Sequence, residues 1–164
     1  MLTVRKGALL VVLAALLATV ASPLLAAERE VAVIVNPKNP VNEVSLHDLR
    51  QIFRLDKTFW PNGKKIRILM LEHGTYEKDL ILKRVYNMTD TELRQYWVRK
   101  ITGLESSDFP RAWSSSAAVK IVVHRYPSAI GYIDARQVDS SVKVLAIDGK
   151  KPGQSNYPLV SRTP

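Results

Sequence analysis

The chain has 164 residues, no cysteine, and 24 Lys and Arg against 15 Asp and Glu, which gives a net charge of +9. Without cysteine the fold cannot use disulfides, so its stability must come from a hydrophobic core. The basic residues occur mostly as scattered pairs, which argues against nucleic acid as a partner because a nucleic-acid surface concentrates its charge in a patch. These pairs are Lys64-Lys65, Lys83-Arg84, Arg99-Lys100 and Lys150-Lys151.

Residues 1–27 predict a cleaved secretory signal peptide. Arg5 and Lys6 precede an apolar run, and small residues up to Ala27 offer a cleavage site. The apolar run is shorter than the roughly 18–20 residues of a membrane-spanning helix, so a retained anchor is the less favoured alternative. We therefore expect an exported, periplasmic protein in which residues 28–164 form a single domain.

The first half of the remaining chain alternates predicted strands with a helix. Glu30–Asn36 is β-branched and nearly all apolar, which is typical of a buried strand, and Lys65–Leu71 has the same character. Between them, Ser45 is a suitable N-cap for a helix that continues to Phe53 with apolar residues at helical spacing. Trp60–Gly63 predicts a turn.

The second half predicts three helices and two strands. The first helix opens at His73-Gly74-Thr75 and reaches about Tyr86. The remaining predicted elements are a helix from the capping box Thr89–Glu92 to about Ile101, a loop at 103–110, a helix over Ser114–Tyr126, strands over Ala129–Ile133 and Val142–Asp148, and an irregular segment after Gly149. The alternation of strands and helices predicts an α/β layered domain.

The helix start at His73-Gly74-Thr75-Tyr76 is a candidate anion-binding site. Free N–H groups and the helix dipole both favour negative charge at a helix N-terminus. Gly74 allows the backbone to approach a ligand closely, and Thr75 adds a hydroxyl donor. Because an N-cap alone also explains a threonine at this position, a purely structural role is the favoured alternative.

A second candidate site lies at the next predicted helix start. Ser114 and Ser115, with Ser116, place hydroxyl groups close to Arg111, and such a cluster can bind an anion. A capping serine with solvated neighbours is again the favoured alternative.

The residues give little support for catalysis. His47 and His124 fall inside predicted helices, no histidines have metal-ligand spacing, and no nucleophile-elbow motif occurs. Glu77 and Asp79 are expected on a solvated helix face. We therefore expect a binding protein rather than an enzyme, with no metal and no cofactor.

Three segments, taken in this order, resemble the phosphate-binding proteins, the periplasmic solute receptors of phosphate ABC transporters. The resemblance covers about Val31–Ile147. The segments are Val33–Pro37 with Val44–Phe53 and Trp60–Gly63, then Gly74-Thr75 opening a helix after a strand, then Ala117–Tyr126 followed by Pro127-Ser128-Ala129-Ile130-Gly131-Tyr132.

The resemblance implies an α/β fold of the type II periplasmic-binding-protein kind, in which a ligand lies in a cleft between two lobes. This chain is expected to be a short member, close to one lobe plus hinge strands. Of the family's phosphate contacts, Gly74 and Thr75 match, whereas His73 stands in place of a serine and Leu69 in place of an arginine. The phosphate loop and aspartate of the family's first lobe have no counterpart in this sequence.

The implied function is binding of a small anion such as phosphate, for ABC transport or sensing. An ABC transporter permease or a sensor protein is the implied partner, and a dimer that builds a cleft from two short subunits is a further expectation. The alternative is an envelope interaction module that kept the fold and lost phosphate binding, which the substitutions at Leu69 and His73 favour.

Overall fold

The computed structural model describes residues 28–102 and 110–161, so the predicted signal peptide and the segment 103–109 lie outside the described residues. The strands are β1 Arg29–Val35, β2 Glu43–Val44, β3 Arg67–Leu71, β4 Arg111–Trp113, β5 Ala129–Asp134, β6 Lys143–Val144, β7 Ala146–Ile147 and β8 Val160–Ser161. The α-helices are α1 Leu46–Phe53, α2 Tyr76–Ile81, α3 Asp90–Thr102 and α4 Ser116–Arg125. A π-helical segment, Leu82–Tyr86, continues α2, and a short 3₁₀ turn, Ala135–Gln137, follows β5.

The main sheet is mixed. Its strand order is β4-β3-β5-β1-β6, and β8 also pairs with β1. Strand β3 runs parallel to both β4 and β5, whereas β1 runs antiparallel to β5, β6 and β8. Strands β2 and β7 form a separate parallel pair. The predicted α/β architecture is therefore confirmed, with β1 near the centre of the sheet.

Helices cover both faces of the sheet, as neighbouring residues of β5 demonstrate. Gly131 faces α4, because a Cβ atom built there would lie 2.7 Å from Val119 Cγ1. Tyr132 points to the opposite face, where its ring centroid is 6.0 Å from that of Phe53 on α1. Alternation along a strand thus gives the sheet two buried faces. The glycine is required by close helix packing rather than by its backbone angles.

The local signals read from the sequence correctly located most helix starts. Ser45 caps α1, since its hydroxyl accepts a hydrogen bond of 2.9 Å from the Asp48 N–H. Thr89 and Glu92 form the predicted capping box: the Glu92 N–H donates to Thr89 Oγ1 and the Thr89 N–H donates to the Glu92 carboxylate. Helix α4 begins two residues later than predicted, after its N-cap Ser115.

Short strands account for most differences from the sequence prediction. Strands β2, β4 and β8 were not predicted, and the strand predicted over Val142–Asp148 is divided into β6 and β7. Each of these elements has only two or three residues. So short a strand has no readable period and depends on its partners for hydrogen bonds.

Candidate functional site

The two candidate anion sites, at the starts of α2 and α4, lie at one edge of the main sheet. Strands β3, β4 and β5 are parallel, so their carboxyl ends meet there, and β1 begins at the same edge. The segment after β3 leads into α2, and Ser114 and Ser115 lead from β4 into α4. In α/β sheets ligands bind outside the carboxyl ends of the strands. We call this region the carboxyl edge.

Thr75 is the N-cap of α2. Its hydroxyl oxygen accepts a hydrogen bond of 3.3 Å from the Lys78 N–H, and the hydroxyl donates to the Glu72 carbonyl oxygen at 3.3 Å. Gly74 has a φ of +90°, which favours glycine, and a Cβ atom built there would have no close neighbour within 4 Å. Thr75 therefore has the capping role that was the structural alternative to ligand binding. A ligand that contacts its hydroxyl would have to share that group with these two hydrogen bonds.

His73 is directed towards α3 rather than towards the start of α4. Its side chain is exposed, and Nδ1 lies 3.6 Å from the Asp90 carboxylate. The same carboxylate pairs with Arg94 at 2.5 Å and lies 3.8 Å from Lys78 Nζ. Burial lowers the pKa of Lys78, although the Asp90 charge opposes that effect. His73 therefore belongs to a charged cluster at the start of α3.

Tyr76 is half-buried and joins the start of α2 to β1 at the carboxyl edge. Its hydroxyl donates to the Glu30 carbonyl oxygen at 3.3 Å, and the Arg29 guanidinium lies 3.3 Å from the centre of its ring. Burial, followed by the adjacent Asp134 carboxylate, raises the pKa of Tyr76 well above its ordinary value. Tyr76 therefore stays protonated and can act as a hydrogen-bond donor.

A charged pair at the end of β5 was missed by the sequence analysis. The Asp134 carboxylate is buried and accepts hydrogen bonds from Arg136 Nε at 3.1 Å and from Arg136 Nη2 at 2.6 Å. Arg29 lies 3.7 Å from the same carboxylate. The Arg136 contact holds the pKa of Asp134 at about 2. Two guanidinium groups therefore reach the carboxyl edge, although the position matched to the family's arginine is Leu69, which is buried on β3.

The two serines predicted as ligands differ in environment from Ser116. Ser114 is exposed, and Ser115 caps α4 by accepting a hydrogen bond of 3.2 Å from the Ala118 N–H. Ser116 is buried, and its hydroxyl donates to Glu77 Oε1 at 3.4 Å. The buried indole N–H of Trp113, at the end of β4, has no acceptor among the described residues.

Glu77 corrects one sequence expectation. It was placed on a solvated helix face together with Asp79, but only Asp79 is exposed and Glu77 is 8% exposed. Leu80 and Ile81 follow Glu77 at the +3 and +4 positions, so helical spacing alone puts its side chain on the apolar face. That signal was available in the sequence.

The Ser116–Glu77 contact joins the first turns of α2 and α4. A carboxylate is favoured at helix N-termini because of the dipole and the free N–H groups. Since a carboxylate only accepts hydrogen bonds, an oxyanion beside Glu77 would have to bring a proton of its own.

The described residues provide neither a metal cluster nor a membrane-spanning helix. No group of three His, Asp or Glu side chains within residues 28–102 and 110–161 could hold a metal ion. In the same ranges, no helix combines the length and apolar character needed to cross a bilayer.

Comparison with solved structures identifies the fold. A candidate substrate-binding protein of a phosphate ABC transporter from Clostridium perfringens, solved with bound phosphate, has a TM-score of 0.66 and 23% identity, covering 81% of this chain and 53% of that chain. A phosphate transport receptor of the ABC type from Vibrio cholerae gives 0.65 and 22%, covering 81% and 54%. PstS from Borrelia burgdorferi gives 0.62 and 15%, covering 81% and 55%.

The fold is that of phosphate ABC transporter substrate-binding proteins, and the chain spans about half the length of these structures. This confirms the predicted periplasmic-binding-protein-like α/β fold and agrees with a form close to one lobe. At such low identity the likeness concerns the fold alone. No protein-family model matches the sequence.

Proposed function

We propose that this chain is a periplasmic solute-binding protein of the phosphate-receptor type, which binds a small protonated oxyanion at the carboxyl edge for ABC transport or sensing. The observation that carries this proposal is the convergence of α2 and α4, whose first turns meet through the Ser116–Glu77 contact. Two helix N-termini, hydroxyl groups and a nearby arginine pair supply the donors that such a ligand would use. The role is binding rather than catalysis.

Calorimetry on the mature chain tests the proposal with phosphate, sulfate and small carboxylates. We expect phosphate to bind more tightly than sulfate, because phosphate carries a proton at neutral pH that Glu77 can accept in a hydrogen bond. Glu77→Gln should reduce the preference for phosphate. Folded protein that releases no heat with any of these anions would contradict the proposal.

A matched pair of variants separates ligand contact from helix capping. Thr75→Ala and Thr89→Ala each remove an N-cap hydroxyl, of α2 and α3 respectively, and each should cost about 1 kcal/mol of stability. Only Thr75→Ala should also weaken phosphate binding. Equal affinities in the two variants would assign Thr75 a purely structural role.

A second candidate function is an envelope interaction module that retains the fold without the ligand. The observation that favours it is the use of the Thr75 and Ser115 hydroxyls in caps, with Leu69 buried where the family resemblance places an arginine. The partner would be a transporter permease or a sensor protein. Under this alternative Gly74→Trp leaves partner binding intact, whereas a ligand-dependent receptor loses its function.

A further inference from the structure

We infer that the protein has a second anion-binding site at the opposite, amino edge of the parallel strands, built for a compact anion with two or more charged groups. A cavity of about 390 Å³ lies there. Its lining includes Lys64, Lys65, Arg67, Arg111 and Ser128. This volume falls in the range of small-molecule sites. The inference is independent of the proposed function, which concerns the other edge of the sheet.

The fold assembles this basic cluster from segments that are separate in the sequence. Arg111 on β4 pairs in register with Leu69 on β3, and Arg67 lies two residues before Leu69. Since side chains at i and i+2 share a face, both arginines lie on the same face of the sheet. Lys64 reaches the cavity from the turn before β3. The scattered basic pairs of the sequence therefore gave no indication of this cluster.

Arg67 is held in position by an aromatic contact. Its guanidinium lies 4.3 Å from the centre of the Tyr126 ring at the end of α4. Such stacking restrains a flexible side chain while leaving the in-plane N–H donors free for a ligand. Fixing the donors in advance reduces the entropy lost when an anion binds.

Three cations of the cavity, Lys64, Arg67 and Arg111, have no acidic neighbour in the part of the chain that the structure describes. No acidic side chain of residues 28–102 or 110–161 lines the cavity, and within those ranges no ion pair involves Lys64, Arg67 or Arg111. Lys65 makes a further contact, so the inference rests on the other three cations. The arginines of the carboxyl edge, by contrast, share the Asp134 carboxylate. Neighbouring positive charges repel one another, and a bound anion relieves this repulsion. The charge of the cluster therefore favours anion binding.

The spacing of the cations indicates the class of ligand. Adjacent strands lie about 4.8 Å apart, and residues i and i+2 of one strand about 6.7 Å apart. A single small anion would contact only part of the cluster, whereas a diphosphate or a tricarboxylate spans it. The shared chemistry is that of a multiply charged oxyanion, which arginine forks bind bidentately.

Calorimetry with inorganic pyrophosphate, and separately with citrate, tests this site on the mature chain. We expect at least one of the two to bind, with an affinity that falls as salt is raised because charge dominates the contact. Arg111→Gln should weaken binding about tenfold, the loss of one charge-assisted contact. The matched control is Lys151→Gln, which removes the same charge from an exposed residue outside the cavity.

The outcomes separate a built site from general charge attraction. Tenfold weakening by Arg111→Gln with unchanged affinity in Lys151→Gln supports the site, and the stronger of the two probes assigns it to phosphoryl or carboxylate ligands. Equal weakening in both variants, or no binding of either probe by folded protein, would overturn it. Lys64→Gln, at an exposed turn, is a second variant should Arg111→Gln disturb the pairing of β4. Failure of phosphate to bind at the carboxyl edge would leave this result unaffected.

Discussion

Asp134 is the most strongly perturbed buried carboxylate in the described part of the chain. Its pKa of about 2, compared with an ordinary value of 3.8, reflects first of all the hydrogen bonds from Arg136. A pKa that is lower in the folded state contributes stability above the unfolded pKa, and this stability is lost as the pH falls through the folded pKa. The relevant window is therefore pH 4 to 2.

Asp134→Asn should remove this contribution. We expect a loss of about 1 to 2 kcal/mol in the free energy of unfolding at pH 7 and a flatter dependence on pH between 4 and 2. Urea unfolding at several pH values measures both. Asp79→Asn, at an exposed carboxylate of α2, is the control and should change neither quantity appreciably. An unchanged acid profile in Asp134→Asn would refute this account.

Asn36 connects the end of β1 to the end of α4. Its buried side-chain amide donates hydrogen bonds to the Val123 and His124 carbonyl oxygens, and its Oδ1 accepts one of 2.9 Å from the Lys38 N–H. Only an amide supplies both a donor and an acceptor of this shape. The last carbonyl groups of α4 thereby obtain partners that the helix itself cannot provide.

Asn36→Asp should therefore lower the stability of the protein more than so small a change in side-chain volume suggests. The carboxylate cannot donate, and it places a negative charge beside the C-terminus of a helix, so we expect a loss of about 2 to 4 kcal/mol at pH 7. Acidification should recover part of the loss, because the protonated acid can donate. Thermal unfolding at neutral and acid pH measures the effect. Asn62→Asp is the matched control, since there only the side-chain oxygen is used, by the Lys64 N–H.

The residues of the carboxyl edge differ in how far the sequence could reveal them. Thr75 and Ser115 were found because capping residues have a strong local signature. The Asp134–Arg136 pair lies only two residues apart, and it was missed although this spacing was readable. Arg29 was missed because it meets Asp134 only through the pairing of β1 with β5, about a hundred residues apart. No local pattern records such a contact. Glu77 was misplaced although its helical spacing was readable.

At the scale of elements, α4 packs closely against β5 at Gly131. Gly131 leaves room for Val119 Cγ1, and a Cβ atom at 131 would also lie 3.4 Å from Leu69 Cβ. The Ala-Ile-Gly-Tyr segment that carried part of the family resemblance therefore has a physical reason for its glycine. The resemblance led to the correct fold, whereas the two-residue strands gave no periodic signal.

Gly131→Ala should destabilise the protein by about 1 to 3 kcal/mol through overpacking. Val119→Ala also destabilises on its own, by leaving a cavity. In the double variant the new methyl group occupies part of that cavity, so the combined loss should be smaller than the sum of the two. Denaturant titration of the three variants measures this coupling. Strict additivity would contradict the packing described here.

The whole molecule presents two chemically different edges of one sheet. The five-residue strand β3 separates them by about 16 Å. The carboxyl edge combines helix starts with a buried carboxylate, whereas the amino edge carries basic residues around a cavity. Substitutions this far apart, at residues without shared partners, usually have additive effects.

The two proposed sites should consequently be independent. Ser116→Ala should weaken phosphate binding and leave pyrophosphate or citrate affinity within about twofold, and Arg111→Gln should show the reverse pattern. Calorimetry of each variant with each anion measures all four affinities. If either variant weakened both ligands equally, the two edges would have to be treated as a single coupled surface.

The central position of β1 has a consequence for the time at which this chain can fold. Its partners β5, β6 and β8 all come from the last third of the sequence, beyond residue 128. Until those residues have been synthesised, β1 has no neighbour on either side, and pairing over so long a separation is slow once they are present. An unfinished chain therefore lacks the pairing that completes the main sheet until its last third has been made.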